Sequence, residues 1–258
     1  MATETPKQQA KITLYWLEKS RSHRILWLLE ELGIEYELKT FKRLESRLAP
    51  PELKKIHPLG KSPVITVQAD ATSEPIVIAE SGLITEYLIE HFGPQLAPKR
   101  YGPGKEGQVG GETAEWLRYK YFLHYAEGSV MPLLIVALIL GEIRGPSVPF
   151  FIRPITGAVA SGVDSAFLKP SFANHLNFIE EQLATSPQNG KFLAGPELSG
   201  ADIMMIFPLE VAPGRSGLTK EKYPKILEYV DMIHNREAYK RAIKKVEDAT
   251  GEKFSISL

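Results

Sequence analysis

The chain has 258 residues and no cysteine. That absence excludes disulfides, thiolate metal centres and any mechanism with a protein cysteine as nucleophile. Charge of one sign is not in excess either: Lys plus Arg and Asp plus Glu are both 31, so no sequence-wide electrostatic footprint for nucleic acid exists and none is expected as a partner. No Gly-rich phosphate loop is present, and nucleotide cofactors are not implied. His23, His57, His91, His124, His175 and His234 show no i, i+4 pairing, so no metal site is expected. The longest nearly unbroken apolar stretch, Val130 to Leu140, is too short to span a bilayer, and Met1 to Ala10 is polar, without the apolar core of a secretory signal. A cytoplasmic location is expected. Ser255 to Leu258 is only loosely like a peroxisomal tripeptide, because Ile256 stands where a basic residue belongs.

What is present is ordinary globular composition, 43% hydrophobic and 24% charged, with length enough for one or two cores. From Lys11 to Gly93 short β-branched runs alternate with amphipathic helical runs, the signature of an α/β unit. Ile12–Trp16 reads as a buried strand. Ser22–Leu32 carries Ile25, Leu26, Leu28, Leu29 and Leu32 on one helical face, with Gly33 where a left-handed C-terminal cap is wanted. Tyr36–Phe41 reads as a second strand, Pro51–Ile56 as a short helix opened by proline, and Pro63–Gln68 and Pro75–Ala79 as two further strands. A helix then runs from Glu80 or Ser81 to about Phe92.

Residues 94–111 hold three prolines and five glycines in eighteen positions and read as an exposed linker. Beyond it strand signals vanish. Helical patterns cover Glu112–Glu127, Ser165–Ala184, Ser199–Val211 and Pro224–Val246, the last broken near Asn235. Residues 141–163, rich in Gly and Pro, read as a functional loop or an insertion. Val130–Leu140 reads as a buried helix continuation, or as a weak membrane-surface or dimer patch. The expectation is an α/β thioredoxin-like N-terminal domain over 11–93 joined by the 94–111 linker to an all-α helical C-terminal domain over 112–258.

Four segments carry a resemblance. Leu14-Tyr15-Trp16 with Ser20-Arg21-Ser22-His23-Arg24, His57-Pro58-Leu59-Gly60-Lys61-Ser62-Pro63-Val64, Ala79-Glu80-Ser81, and Phe192-Leu193-Ala194-Gly195 with Ser199-Gly200-Ala201-Asp202-Ile203 resemble soluble glutathione transferases, in particular their fungal branch. The resemblance spans residues 11 to about 246. It implies glutathione as co-substrate with no permanently bound cofactor, small hydrophobic electrophiles as second substrates, and a homodimer; some fungal relatives associate with membranes. It also implies that Ser62, before a cis Pro63, offers its main chain to the cysteinyl part of glutathione as an added strand would. Glu80 and Ser81, at a strand-to-helix junction, match a γ-glutamyl group through free N–H groups and an acceptor for its ammonium. Helix capping by Ser81 is the plainer alternative. Lys61 is placed for a carboxylate of glutathione, or is a solvated lysine. Ser199-x-x-Asp202 is a buried capping motif, folding chemistry rather than catalysis.

The thiol sets the chemical demand. Free at a pKa near 8.5, it must be lowered by about two units, or about 2.7 kcal/mol of preferential anion stabilisation, to be mostly thiolate at neutral pH. The helix beginning near Ser22 can supply part of that through its dipole. Ser20, four before Arg24 as in relatives that use serine, is the first candidate donor to the sulfur; Ser22, the better N-cap, and Tyr15 are rivals, with main-chain groups or water as a further source. Trp116, Tyr119, Tyr121, Phe122 and Tyr125 lie on the first helix after the linker, where relatives build the electrophile pocket; Tyr121 and Tyr125, four apart, are the pair named for substrate contact, and helical core is the plainer reading. Conjugation of an electrophile, or peroxide reduction by the ligand's own thiolate, fits a chain without cysteine. A non-catalytic carrier or regulatory protein binding hydrophobic ligands is the alternative reading.

Overall fold

Residues 10–256 are described by a computed structural model; Met1–Gln9, Ser257 and Leu258, on which the polar leader and the tripeptide readings fall, lie outside the described residues. Two compact units emerge: residues up to Pro94 together with the chain from Asn235 onward, and Gln95–His234.

In the first unit, β1 (Lys11–Leu17), β2 (Glu37–Phe41), β3 (Val64–Gln68) and β4 (Ile76–Ala79) form one sheet in the order β2-β1-β3-β4. β2 runs parallel to β1, which requires a crossover, and α1 (Ser22–Leu32) is that crossover. Gly33 ends α1 at φ 63°, ψ 25°, the left-handed conformation that glycine adopts without a Cβ clash. β3 and β4 pair antiparallel, and α2 (Ser81–Phe92) follows. Pro51–Lys55 is a single 3-10 turn, shorter than the helix expected through Ile56. Ile12, Leu14, Ile25, Leu29, Ile65, Ile84 and Leu88 are wholly buried between the sheet and its helices.

The second unit is helical: α3 (Ala114–Tyr125), α4 (Met131–Arg144), α5 (Arg153–Val163), α6 (Lys169–Ala184), α7 (Gly200–Val211) and α8 (Pro224–His234). α3 and α4 are joined by a π turn over Ala126–Val130, so 114–144 is one continuous helix, long and apolar enough to cross a membrane by length and composition, as core helices of soluble proteins also are. Val130–Leu140 is thus a helix continuation whose Met131, Leu133, Leu134 and Leu140 are buried while Ile135 and Ile139 are exposed. Residues 141–163 are not a loop throughout: α4 continues to Arg144, and α5 begins at Arg153 with Pro154 in its first turn, where a missing N–H costs no hydrogen bond. Ser199 and Asp202 form the expected capping box at the start of α7, and Asp202, fully buried, also accepts from Leu193 N–H and Tyr229 Oη. Burial pushes its carboxyl up against the four hydrogen bonds that pull it down.

The last helix, α9 (Glu237–Thr250), lies within the first compact unit. Expected within the helical domain over 112–258, it groups with the first unit and packs on α1. Tyr239 places its ring 5.2 Å from that of His23 and 5.7 Å from that of Trp27. Around this contact, Glu30 accepts from Arg241 Nε (2.9 Å), Lys245 Nζ (2.6 Å) and Tyr36 Oη (2.5 Å), while Glu31 holds Arg236 in a bidentate pair (2.6 and 2.9 Å). Burial by itself would raise the Glu30 carboxyl, but hydrogen bonds from Lys245, Tyr36 and Arg241 together hold it below the usual carboxylate range.

A carboxylate depressed in the folded state stabilises it above the unfolded pKa, and that contribution is lost as pH falls through the folded value. Glu30→Gln should therefore destabilise the protein by about 1–3 kcal/mol at neutral pH, the cost of losing charge-assisted hydrogen bonds, and by progressively less as the pH falls below the ordinary carboxylate value of about 4, where the unfolded carboxylate protonates first and the folded one follows at lower pH. Urea unfolding midpoints at the two pH values measure it; a deficit that does not shrink on acidification would show that packing, and not the ion cluster, fastens α9.

Candidate functional site

The strand register brings the expected residues to one place. Val64 on β3 lies opposite Tyr15 of β1 on one side and Ala79 of β4 on the other. The segment leaving β1, the segment before β3 and the segment leaving β4 therefore surface at the same end of the sheet, carrying Ser20, Ser62 and Glu80-Ser81.

Before β3, the Ser62–Pro63 peptide bond is cis. Ser62 Oγ donates to the Tyr15 carbonyl at 2.8 Å, fastening this segment to β1. Among the described residues the main-chain N–H and C=O of Ser62 take no hydrogen bond, so an extended peptide laid alongside would find both groups free. The preceding turn is closed by Gly60 N–H to His57 C=O (2.8 Å), with His57 Nδ1 accepting from Leu59 N–H. Gly60 itself sits at φ 58°, where a Cβ would stand 2.7 Å from Lys54. Lys61 is exposed.

After β4, α2 opens on Ser81, which is 3% exposed, and the N-cap is Glu80 rather than Ser81. Glu80 makes no side-chain cap bond and the first turn holds no acid, so the first N–H groups of α2 remain donors at the positive end of its dipole. Glu80 has φ 71°, ψ 118°, a region non-glycine residues rarely adopt. Such backbone outliers cost about 1–3 kcal/mol and concentrate at functional sites.

After β1 the chain turns through Lys19 into α1, whose N-cap is Arg21, again with no side-chain cap and no acid in the first turn. Ser20 is buried at 8% exposure. Its Oγ lies 2.7 Å from the Leu17 carbonyl and 2.7 Å from Ser22 Oγ, and accepts from Ser22 N–H at 3.2 Å. Ser22 is wholly buried; its Oγ accepts from Leu17 N–H (3.1 Å) and reaches the same Leu17 carbonyl (3.0 Å). Ser22 is thus a tie between β1 and α1 rather than the N-cap. Tyr15 contributes its main chain to the site, while its ring lies beside Phe41 (6.4 Å) and under Lys39 Nζ (5.6 Å) on β2.

In the second unit Tyr121 and Tyr125 stack at 5.2 Å, but they differ: Tyr121 is half exposed and Tyr125 is 6% exposed, so Tyr125 is core. Its Oη is bonded to His175 Nδ1 at 2.5 Å. Burial, with the neighbouring Tyr121, pushes the Tyr125 phenol up, and burial pushes His175 down, so both are held toward their neutral forms. His175 was missed in the sequence because its partner lies fifty residues away, on another helix. Among the described residues no cluster of His, Asp or Glu could hold a metal.

Against known proteins, residues 10–90 match the family model for the glutathione S-transferase N-terminal domain, and residues 167–237 that for the C-terminal domain. Glutathione S-transferase 1 of Saccharomyces cerevisiae is 36% identical over 243 residues, covering 94% of this chain and 98% of the relative. Glutathione S-transferase 3 of Schizosaccharomyces pombe is 32% identical over 244 residues, covering 95% of this chain and 91% of the relative. A solved glutathione S-transferase from Actinobacillus pleuropneumoniae superposes with a TM-score of 0.63 at 30% identity, covering 95% of each chain.

Glycine at position 80 would relieve the backbone at φ 71° while removing the carboxylate. Glu80→Gly should raise unfolding stability by about 1 kcal/mol, since glycine tolerates this region without steric cost. Thermal or urea unfolding of variant and parent checks it, and a less stable variant would mean that the Glu80 side chain, rather than the need for its backbone placement, holds the end of α2.

Proposed function

The chain belongs to the glutathione S-transferase family and is a glutathione transferase; on that premise we propose that it holds glutathione at the shared sheet end and directs the thiolate of that ligand at small hydrophobic electrophiles. The observation that carries this reading is the register Tyr15–Val64–Ala79, which collects three kinds of group that the tripeptide needs. The free main chain of Ser62 suits its cysteinyl peptide. The uncapped start of α2, with Ser81 and the Glu80 carboxylate, suits the charged γ-glutamyl end, and Lys61 suits the other carboxylate.

Ser20 is the activating donor in this proposal. Its proton lies between two acceptors, the Leu17 carbonyl and Ser22 Oγ. When it turns to the sulfur, Ser22 Oγ at 3.0 Å can donate to Leu17 in its place, so the change leaves no buried carbonyl unpaired. A hydroxyl donating to a thiolate is a charge-assisted hydrogen bond of about 1.5–3 kcal/mol, and the α1 dipole acts in the same direction. Conjugation then forms a bond from sulfur to the electrophilic carbon with departure of the leaving group; with an organic hydroperoxide the same thiolate would attack the terminal oxygen, breaking the O–O bond and releasing the alcohol, and a second glutathione would convert the resulting sulfenic acid to the disulfide and water. Half-exposed Tyr121 is the residue of the second unit proposed to meet the electrophile, with Tyr125 supporting it from the core. A homodimer and a cytoplasmic location, with membrane-surface association, remain part of the proposal; the exposed apolar side chains of α5, Ile155 and Val159, suit contact with another apolar surface.

Ultraviolet difference titration with glutathione across pH is the direct test. Thiolate absorbance should appear well below the free thiol value near pKa 8.5, and glutathione bound only as thiol would favour the carrier alternative. Ser20→Ala should lower turnover of an aryl halide by roughly 10 to 150-fold at little change in glutathione affinity, whereas Ser22→Ala should act on stability. Unchanged turnover in Ser20→Ala would remove Ser20 from the mechanism and leave main-chain donors.

A further inference from the structure

Arg43 lies two residues past the end of β2 and reaches back to the turn between β1 and α1. Its guanidinium commits three donors to carbonyl oxygens: Nε to Glu18 (3.1 Å), Nη2 to Lys19 (3.1 Å) and Nη1 to Arg47 (2.9 Å). Its own main-chain N–H donates to Glu18 Oε1 at 2.7 Å. The β1–β2 ladder holds the chain only as far as Glu18, whose N–H donates to the Phe41 carbonyl at 3.1 Å. Beyond that point, among the described residues, the carbonyls of Glu18 and Lys19 take no hydrogen bond except those from Arg43.

Those two carbonyls belong to the peptide planes on either side of Lys19, so fixing both planes fixes the φ and ψ of Lys19. Lys19 stands at φ 49°, in the left-handed region that a lysine seldom adopts. Backbone of that kind persists where its surroundings over-determine it. A guanidinium is suited to do so, because its planar fork presents Nε–H and Nη–H in fixed directions and stays charged, which a single flexible ammonium cannot match. The third donor braces the fork against a loop that closes on itself, with Arg47 N–H on the Leu44 carbonyl (2.7 Å) and Leu44 N–H on the Leu48 carbonyl (3.0 Å). The residue after Lys19 is Ser20, which on its far side is already tied to the first turn of α1: its Oγ accepts from Ser22 N–H (3.2 Å) and its carbonyl from His23 N–H (3.3 Å). Arg43 supplies the hold on the near side. Burial lowers its pKa, Glu18 raises it and Arg21 at the start of α1 lowers it, while Lys42 lies beside Glu18.

We propose that Arg43 is a positioning residue for thiolate formation: by holding the two peptide planes around Lys19 it sets the direction from which Ser20 Oγ meets the sulfur of glutathione, without touching the ligand, a role that rests on Ser20 being the activating donor. Its three carbonyl bonds set this role apart from that of a cation awaiting a carboxylate of the tripeptide.

The test compares the full chain with Arg43→Met and Arg43→Lys, each also made in Ser20→Ala. Both single variants should raise the apparent pKa of bound glutathione's thiol toward the free value by about half a unit to one unit, lysine failing to rescue because it keeps the charge and loses the fork. Turnover number with an aryl halide at neutral pH should fall about three- to tenfold and return toward the parent's at high pH, where thiolate forms unaided, while KM for glutathione stays within about twofold. In Ser20→Ala neither substitution should move the thiol pKa further, since Arg43 acts through Ser20. Amide hydrogen exchange of the ligand-free proteins reads the clamp independently of glutathione: the Ser22 and His23 N–H groups should exchange about tenfold faster in both variants, and the last turn of α1 at the parent's rate. If the parent binds glutathione only as thiol, the Ser20 reading fails by itself, and the exchange rates still decide whether Arg43 holds the turn. Should Arg43→Met fail to fold, Arg43→Lys carries the same measurements. An unmoved thiol pKa, full rescue by lysine, a raised KM alone, an equal pKa shift in Ser20→Ala, or unchanged exchange at Ser22 and His23 would overturn the proposal.

Discussion

Because β3 runs antiparallel to β1 while β2 runs parallel to it, three separate stretches of chain are forced to the same end of one small sheet. A parallel β1–β2 pair needs a helical crossover, so the end of β1 is also the start of α1; an antiparallel β3–β4 pair puts the end of β4, and hence the start of α2, beside the beginning of β3. Two helix N-termini and one peptide group free of main-chain partners thereby converge. Register holds this together: a slip of one residue would move Ser62 off the Tyr15 carbonyl and turn every side chain of β3 to the other face.

The convergence has an electrostatic character. Neither α1 nor α2 carries an acidic residue in its first turn or a side-chain cap, so both present donors and a positive dipole end. Most helix starts neutralise those groups locally. At α1 Ser20 meets part of that demand, its Oγ accepting from Ser22 N–H and its carbonyl from His23 N–H, while α2 opens with no side-chain cap hydrogen bond. The hydroxyls of Ser20 and Ser22 form a compact relay around the Leu17 carbonyl, in which one can substitute for the other, so a proton can be lent without opening a buried vacancy.

α9 serves the same sheet from behind. By covering α1 with Tyr239 and fastening Glu30 and Glu31 with Arg241, Lys245 and Arg236, it stiffens the element whose N-terminus faces the site. In the second unit the Ser199–Asp202 box does comparable work for α7, with a buried carboxylate that is fully hydrogen-bonded.

The sequence by itself determined the order and type of elements, because periodicity, proline and glycine are local signals: α1 and its Gly33 cap, the four strands, and the break near Asn235 were all legible. Gly and Pro misled over 141–163, since Pro154 lies in a helical first turn where proline is harmless. What only the tertiary structure decided is everything that depends on partners distant in sequence. That Glu80 rather than Ser81 occupies the N-cap position of α2, that Ser22 ties β1 to α1, that Tyr125 is buried against His175, and that α9 joins the first unit follow from hydrogen bonds and packing between residues far apart or from backbone angles. Local propensity carries no information about which buried face will meet which, and that meeting is where charge, hydrogen-bond satisfaction and cavity shape are settled.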